Sequence, residues 1–362
     1  SSERGESGSL NLETGVSQGL GSSSGSIIMQ SGAAAAGFSG AALLSTGDSL
    51  SDAGSIYQKA GDARAGIGGS ITVVAGNAAQ SGGSVRISSG ASAQSHSGEV
   101  VIETAKSDVS GPSGPITLQT GLASGGSSGN ILLNTKDAIE KSGGISISVG
   151  TSQAKGGDVS INAGSSSAQT GGNVRIVSGS SEKSPSGSVL FASGSSSAGN
   201  SGRVDFQTGS SEFGASGELL MQSGSSTEGA SGNITLRTGK SLGNSGNVVV
   251  EAGDASGNIA SGGSLVFKAG AGTGSGSVAL GGSIMLQAGS SQSTTGGAIE
   301  IKTGDSQSMS SGQIKLSTAN AFSEEGSSGD IAVSTGATTT STSGSISFKS
   351  GEASIDRFYF RK

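Results

Sequence analysis

The stretch Gly232-Asn233-Ile234-Thr235-Leu236-Arg237-Thr238-Gly239 decides how the rest of the chain is read. It runs from an opening glycine through a spacer, an aliphatic, a spacer, a second aliphatic, a spacer and a small residue to a closing glycine. The same phrase returns in Gly297-Ala298-Ile299-Glu300-Ile301-Lys302-Thr303-Gly304. About 23 copies can be placed, from Gly8–Gly15 to Gly344–Gly351, most of them about 14–15 residues apart. A fixed short period across the chain means one structural unit repeated, so the unit is the proper object of analysis.

The opening position is glycine in every copy, as at Gly25, Gly40, Gly69 and Gly83. The closing position is glycine in all but three copies, which carry Ala105, Lys136 and Ala319. A position held as glycine throughout one chain needs positive φ or has another backbone pressed against it. Between the glycines the first aliphatic is usually Ile, Val or Leu (Ile116, Val159, Val204, Ile284), and the second varies more (Leu118, Ile161, Phe206, Leu286). Alternation with a period of two, rich in β-branched residues and bounded by glycine and serine, predicts a short strand. The residue before the closing glycine is small in nearly every copy (Thr120, Ala163, Ser193, Ala288), which predicts an inner space that narrows towards the turn.

A strand with two aliphatics cannot shelter them alone, so stacked neighbours are expected to do it. The fold class expected from this pattern is all-β, a parallel β-solenoid of about 15-residue units with two units per coil. Its bounds are 1–351 for the solenoid and 352–362 for a C-terminal aromatic and basic cap or docking strand. Two units per coil would let two inner faces pack on each other, and about 11–12 coils would give a rod of about 55 Å. A second regularity supports the pairing. In alternate units the outward residue between the aliphatics reads Val101, Leu132, Ser160, Leu190, Leu220, Val249 and Met285. The intervening units read Thr117, Ser146, Arg175, Asp205, Thr235, Val266 and Glu300. Val101, Leu132, Leu190, Leu220, Val249 and Met285 are therefore the expected lateral interface, an outward apolar stripe. Phe358, Tyr359 and Phe360 are the expected end cap or docking residues, sealing the core or meeting a neighbouring copy.

Composition narrows the function. Glycine accounts for 68 of 362 residues and serine is comparably abundant, which first suggests a flexible linker. The fixed register of the aliphatics argues for order instead. A net charge of -6 without any basic run disfavours nucleic acid or an anionic membrane as partner. No apolar stretch is long enough to span a bilayer. With no cysteine and only His96, disulfides, thiolate metal sites and multi-histidine metal sites are excluded, and no cofactor is expected. The first residues run straight into a repeat, so the chain is expected to be a processed product or a fragment of a longer protein.

Candidate chemistry is sparse. Gly272-Thr273-Gly274-Ser275-Gly276 has the texture of a phosphate loop but lacks the following lysine and helix. Asp48, Asp62, Asp254 and Asp305 follow closing glycines and read as Asx-turn residues, since a calcium β-roll needs aspartate in nearly every turn. Arg175, Arg203 and Asp205 lie on neighbouring units and read as an exposed charge pair rather than a lyase site. The outward threonines Thr72, Thr117 and Thr235 are too scattered for a regular ice-binding array. Asn233-Ile234-Thr235 is the one clear N-glycosylation acceptor.

The phrases Gly-Asn-Ile-Thr-Leu-Arg-Thr-Gly, Gly-Asp-Val-Ser-Ile-Asn-Ala-Gly and Gly-Ser-Leu-Val-Phe-Lys-Ala-Gly resemble the repeats of large glycine-punctuated surface β-solenoids. Haemagglutinin-type adhesins, repetitive fibre proteins of viruses and phages, and long repeat proteins of algae and protists share this texture. The resemblance implies an extracellular location, or a cell or virion surface. The expected function is that of a structural, non-enzymatic repeat protein, forming the shaft of a fibre, coat or adhesin stalk. Its partners would be further copies of itself or another structural surface protein, with a glycan as a further candidate. The alternative is an ice- or glycan-binding solenoid.

Overall fold

The computed structural model describes residues 8–19, 21–108, 111–257, 259–274, 279–323 and 325–351. The chain divides into two units, Ser1–Ile176 and Val177–Lys362. The boundary falls inside the repeat Gly172–Gly179, between its second aliphatic Ile176 and Val177. The described residues of both units are irregular coil. Among the described residues there is neither helix nor strand.

This corrects the fold expected from the pattern. The protein is neither all-β nor a parallel β-solenoid, and its repeats do not pair into coils. A strand exists only where its peptide groups enter a hydrogen-bonded ladder with a neighbour. Here the main-chain bonds among the described residues join turn residues and bounding glycines, and none reaches an inner residue of a repeat segment. Nor is there a core, since no described residue is buried. The accessible surface is 37557 Å², where a compact chain of 34.4 kDa would expose about 13,000 Å².

The physical reason lies in how thinly the apolar residues are spread. Two aliphatics in each repeat offer little surface to bury, while every residue of the repeat costs conformational entropy to order, and glycine costs most. Alternation constrains local backbone preference; it does not supply the burial that a stack of coils requires. Composition, which first pointed to an unstructured glycine–serine chain, gave the better guide.

The repeat is nonetheless visible in three dimensions, as a clasp across nine of the turns among the described residues. The opening glycine of one repeat donates its N–H to the carbonyl of the closing glycine before it. Such bonds join Gly69 to Gly61 (2.9 Å), Gly172 to Gly164 (2.8 Å), Gly187 to Gly179 (2.9 Å) and Gly297 to Gly289 (2.9 Å). The same clasp closes the longer turns, with Gly263 bonded to Gly253 and Gly282 to Gly270, both at 2.9 Å. Turn length therefore varies without changing how the turn is closed, as loop-closure entropy permits.

The clasp also explains the two most regular columns of the sequence. A Cβ built on the opening glycine would meet the small residue preceding the closing glycine. It would lie 3.0 Å from Ala60 Cβ at Gly69, 3.1 Å from Ala252 Cβ at Gly263 and 3.0 Å from Thr303 Cβ at Gly312. Apart from Ala123, every described residue that is even partly sheltered belongs to this small column: Thr14, Ala60, Ala75, Ser178, Ala252, Ala269, Ala288 and Thr303. Close approach therefore favours glycine at opening positions such as Gly69, Gly83, Gly98, Gly172, Gly187, Gly263 and Gly312. Positive φ plays no part, because the glycines with positive φ are Gly21 and Gly37, outside both columns. The small residues are small because they occupy the clasp, so the narrowing inner space read from them is a local turn contact.

Two outcomes follow. Calorimetry of the monomeric chain is expected to show no cooperative unfolding endotherm, since no core exists to melt. Replacing Gly297 with valine crowds the Gly289 main chain, whose nitrogen lies 3.3 Å from a Cβ built there, and should give the residue-297 amide the temperature dependence of a solvent-exposed N–H in NMR. Replacing Gly289 with alanine, where nothing lies within 4 Å, should leave the Gly297 amide bonded.

Candidate functional site

Three kinds of group recur often enough to act as a site: the turn hydroxyls, the paired aliphatics and the scattered charges. The turn hydroxyls are the best organised. In repeat after repeat, the second residue past the closing glycine is Ser or Thr, and its oxygen accepts the amide three residues on. Ser166 accepts from Gln169 at 2.9 Å, Ser196 from Gly199 at 3.0 Å, Ser226 from Gly229 at 2.9 Å and Ser306 from Met309 at 3.0 Å. Thr338 does the same for Ser341 at 3.2 Å. Shorter turns use the same position but reach only two residues on, as Ser241 does for Gly243 at 3.1 Å. These are ST-turns, in which a side-chain oxygen stands in for a main-chain acceptor.

Sequence reading recognised these turns as polar and missed this position. The signal was present as a periodic Gly-x-Ser, visible in Gly194-Ser195-Ser196 and Gly224-Ser225-Ser226. Where alanine takes the place, as at Ala63 and Ala78, the glycine clasp still forms at 2.9 Å. Cap and clasp are therefore separate devices. Thr14 and Thr135 add a third, donating their hydroxyls to the carbonyls of Gly25 and Gly143 at 3.2 Å.

The aliphatics approach one another without excluding water. Phe191 and Phe206, second aliphatics of successive repeats, meet edge to face with ring centroids 6.1 Å apart. Both rings stay more than half exposed. Nearby in sequence, Met221, Ile234, Val266, Phe267 and Ile284 border an open cavity of about 1130 Å³ in the Val177–Lys362 unit. Four separate repeats contribute to it, and Lys268 adds the one charge. Residues that would form a core in a packed fold here surround a gap wide enough for solvent.

The structure places Val101, Leu132, Leu190, Leu220, Val249 and Met285 on the surface. It does the same with the aliphatics on either side of each. Leu190 is 85% exposed, against 47% for Val189 and 56% for Phe191. Val101 and Leu220 are no more exposed than Ile102 and Met221 beside them, so exposure does not separate an outer face from an inner one. Phe358, Tyr359 and Phe360 lie outside the described residues.

Three isolated local pairs of charged groups occur among the described residues. Arg203 and Asp205 pair at 2.7 Å on the surface, as do Lys59 with Asp62 and Lys106 with Asp108. Exposed pairs of this kind contribute little to stability. His96 sits in a turn with its Nδ1 3.4 Å from Ser95 Oγ. Among the described residues, no three His, Asp or Glu side chains come together as metal ligands. Among them too, no helix is long and apolar enough to cross a membrane. No known protein family, curated protein or solved structure matches the chain.

The hydroxyl caps yield a direct prediction. Replacing Ser226 with alanine removes a hydrogen bond worth about 0.5–1.5 kcal/mol, so the Gly229 amide should exchange about 2- to 10-fold faster. Threonine at the same position should restore the slower rate.

Proposed function

We propose that the chain is a structural repeat protein of an extracellular or surface assembly, and that it works by associating with further copies of itself. One observation carries this reading: nearly all of the about 23 copies of one unit present paired aliphatics, Gln58 in Gly54–Gly61 being an exception, and none of those side chains is buried. Water is a poor solvent for so much apolar surface, and contiguous exposure on this scale marks a surface that another molecule covers. Repetition supports the same conclusion, because an array of like units offers many equivalent contacts whose summed strength exceeds that of any single one. Catalysis, by contrast, needs a few unlike groups held in one place.

The assembly envisaged is a fibre or coat whose order comes from contacts between chains. A rigid shaft built by each chain alone is set aside with the solenoid. The alternative expectation of an ice- or glycan-binding solenoid depended on a flat strand face, and no strand occurs among the described residues.

The test is sedimentation of the purified chain over a rising concentration series, with electron microscopy of whatever forms. Growing mass and regular fibrous or sheet-like material are expected. A chain that stays monomeric at every concentration would contradict the proposal. Replacing both Leu190 and Leu220 with lysine should raise the concentration needed for association while leaving the turn clasps of the single chain intact.

A further inference from the structure

We infer that self-association proceeds through main-chain hydrogen bonds between repeat segments of different copies, so that the backbone supplies the interface and the aliphatics gather behind it. This rests on the reading of the chain as a self-associating protein and specifies its contact.

The first ground is the state of the peptide groups. Among the described residues, the main-chain bonds in both units are the glycine clasps and a few turn bonds, such as Ser22 to Gly19 and Ala260 to Gly257. The hydrogen bonds made by side chains to the main chain likewise fall in the turns or on the bounding glycines. The inner N–H and C=O groups of segments such as Asn233–Thr238 and Ala298–Thr303 have no hydrogen-bond partner among the described residues. A row of unpaired peptide groups flanked by β-branched residues is the usual template for pairing with another chain. Proteins that stay monomeric blunt such edges with proline or charge at the edge. This chain has 3 prolines in 362 residues, and all of them (Pro112, Pro115, Pro185) lie outside the aliphatic-spacer-aliphatic core of a segment.

The second ground is access. At the closing glycines a Cβ would meet nothing: Gly164, Gly179, Gly194, Gly209, Gly224 and Gly239 each have open space around that position. Neither crowding nor positive φ within the single chain requires glycine there. Each such glycine costs roughly 0.5–1 kcal/mol relative to alanine in regular backbone. A neighbouring backbone approaching the end of the segment supplies the missing reason, because only glycine leaves room for it.

The third ground identifies the occupant as a second copy of this chain. The partner must offer unpaired peptide groups at the same spacing of about 14–15 residues, many times over. This chain does so by construction, and two copies stay in register from one repeat to the next. The area is ample. A stable interface buries about 1,200–2,000 Å² in total, which a handful of paired segments supplies from the 37557 Å² exposed here. A polysaccharide's hydroxyls can both donate and accept, but they carry no spacing of about 14–15 residues that would hold successive repeats in register.

The test removes backbone donors without touching the aliphatics. One variant carries Ser160→Pro, Arg175→Pro, Asp205→Pro, Thr235→Pro and Glu300→Pro, each at the spacer between two aliphatics. A companion variant carries alanine at the same five positions and keeps every N–H. Both are compared with the wild-type full-length chain by sedimentation and by the amide I band of hydrogen-bonded extended chains. Main-chain pairing predicts that proline raises the midpoint concentration of association about tenfold or more, with loss of the band, while alanine leaves both near wild type. If the proline and alanine variants associate alike, the backbone interface is wrong and self-association stands. If the wild-type chain stays monomeric, or associates only when a soluble polysaccharide is added, both readings fall.

Discussion

The bond between an opening glycine and the closing glycine before it is the contact on which the rest of the structure depends. It fixes both ends of each turn it closes while leaving the residues between them free to vary in number. Gly282 reaches Gly270 across a long turn as closely as Gly69 reaches Gly61 across a short one. The small residue beside the closing glycine lies under the clasp, which explains why Ala60, Ala252 and Thr303 are sheltered while every aliphatic around them is exposed. In a packed protein the large apolar residues would be the least accessible. Here the order is reversed, because among the described residues local closure shelters more than any contact between aliphatics does.

That reversal explains how much of the chain was legible in its sequence. The unit, its bounds and its turns could all be read from glycine spacing, because those features depend on contacts a few residues apart. The special status of the opening glycines was legible too, and at Gly69, Gly263 and Gly312 its cause is close approach by Ala or Thr across the turn. Pairing of strands was not legible, because it depends on partners that a period cannot supply. Ile234 and Leu236 have the alternation of a strand and the exposure of a coil. The serine caps were legible in principle. They were overlooked because serine is so common that its fixed place after the closing glycine does not stand out.

The candidate site follows the same division between local and non-local order. Ser166, Ser196 and Ser226 are held by bonds inside their own turns, and each turn keeps its form independently of its neighbours. The aliphatics have no such local means of being satisfied. Phe191 finds Phe206 in the next repeat, and Met221, Ile234 and Phe267 face an open space. A chain whose turns are complete and whose segments are not is prepared for assembly, because joining a partner need not disturb what is already formed. The entropic cost of ordering the segments is then met by contacts with another copy rather than by folding of one.

Residue-resolved amide exchange on the chain at a dilution where it is monomeric tests this account most directly. The opening-glycine amides at Gly69, Gly172, Gly187, Gly263, Gly282 and Gly297 should be protected, while inner amides such as Ile234, Leu236, Ile299 and Ile301 should exchange at nearly the rate of a free peptide. Strong protection of those inner amides in the monomer would mean that the segments already pair within one chain, and would contradict it.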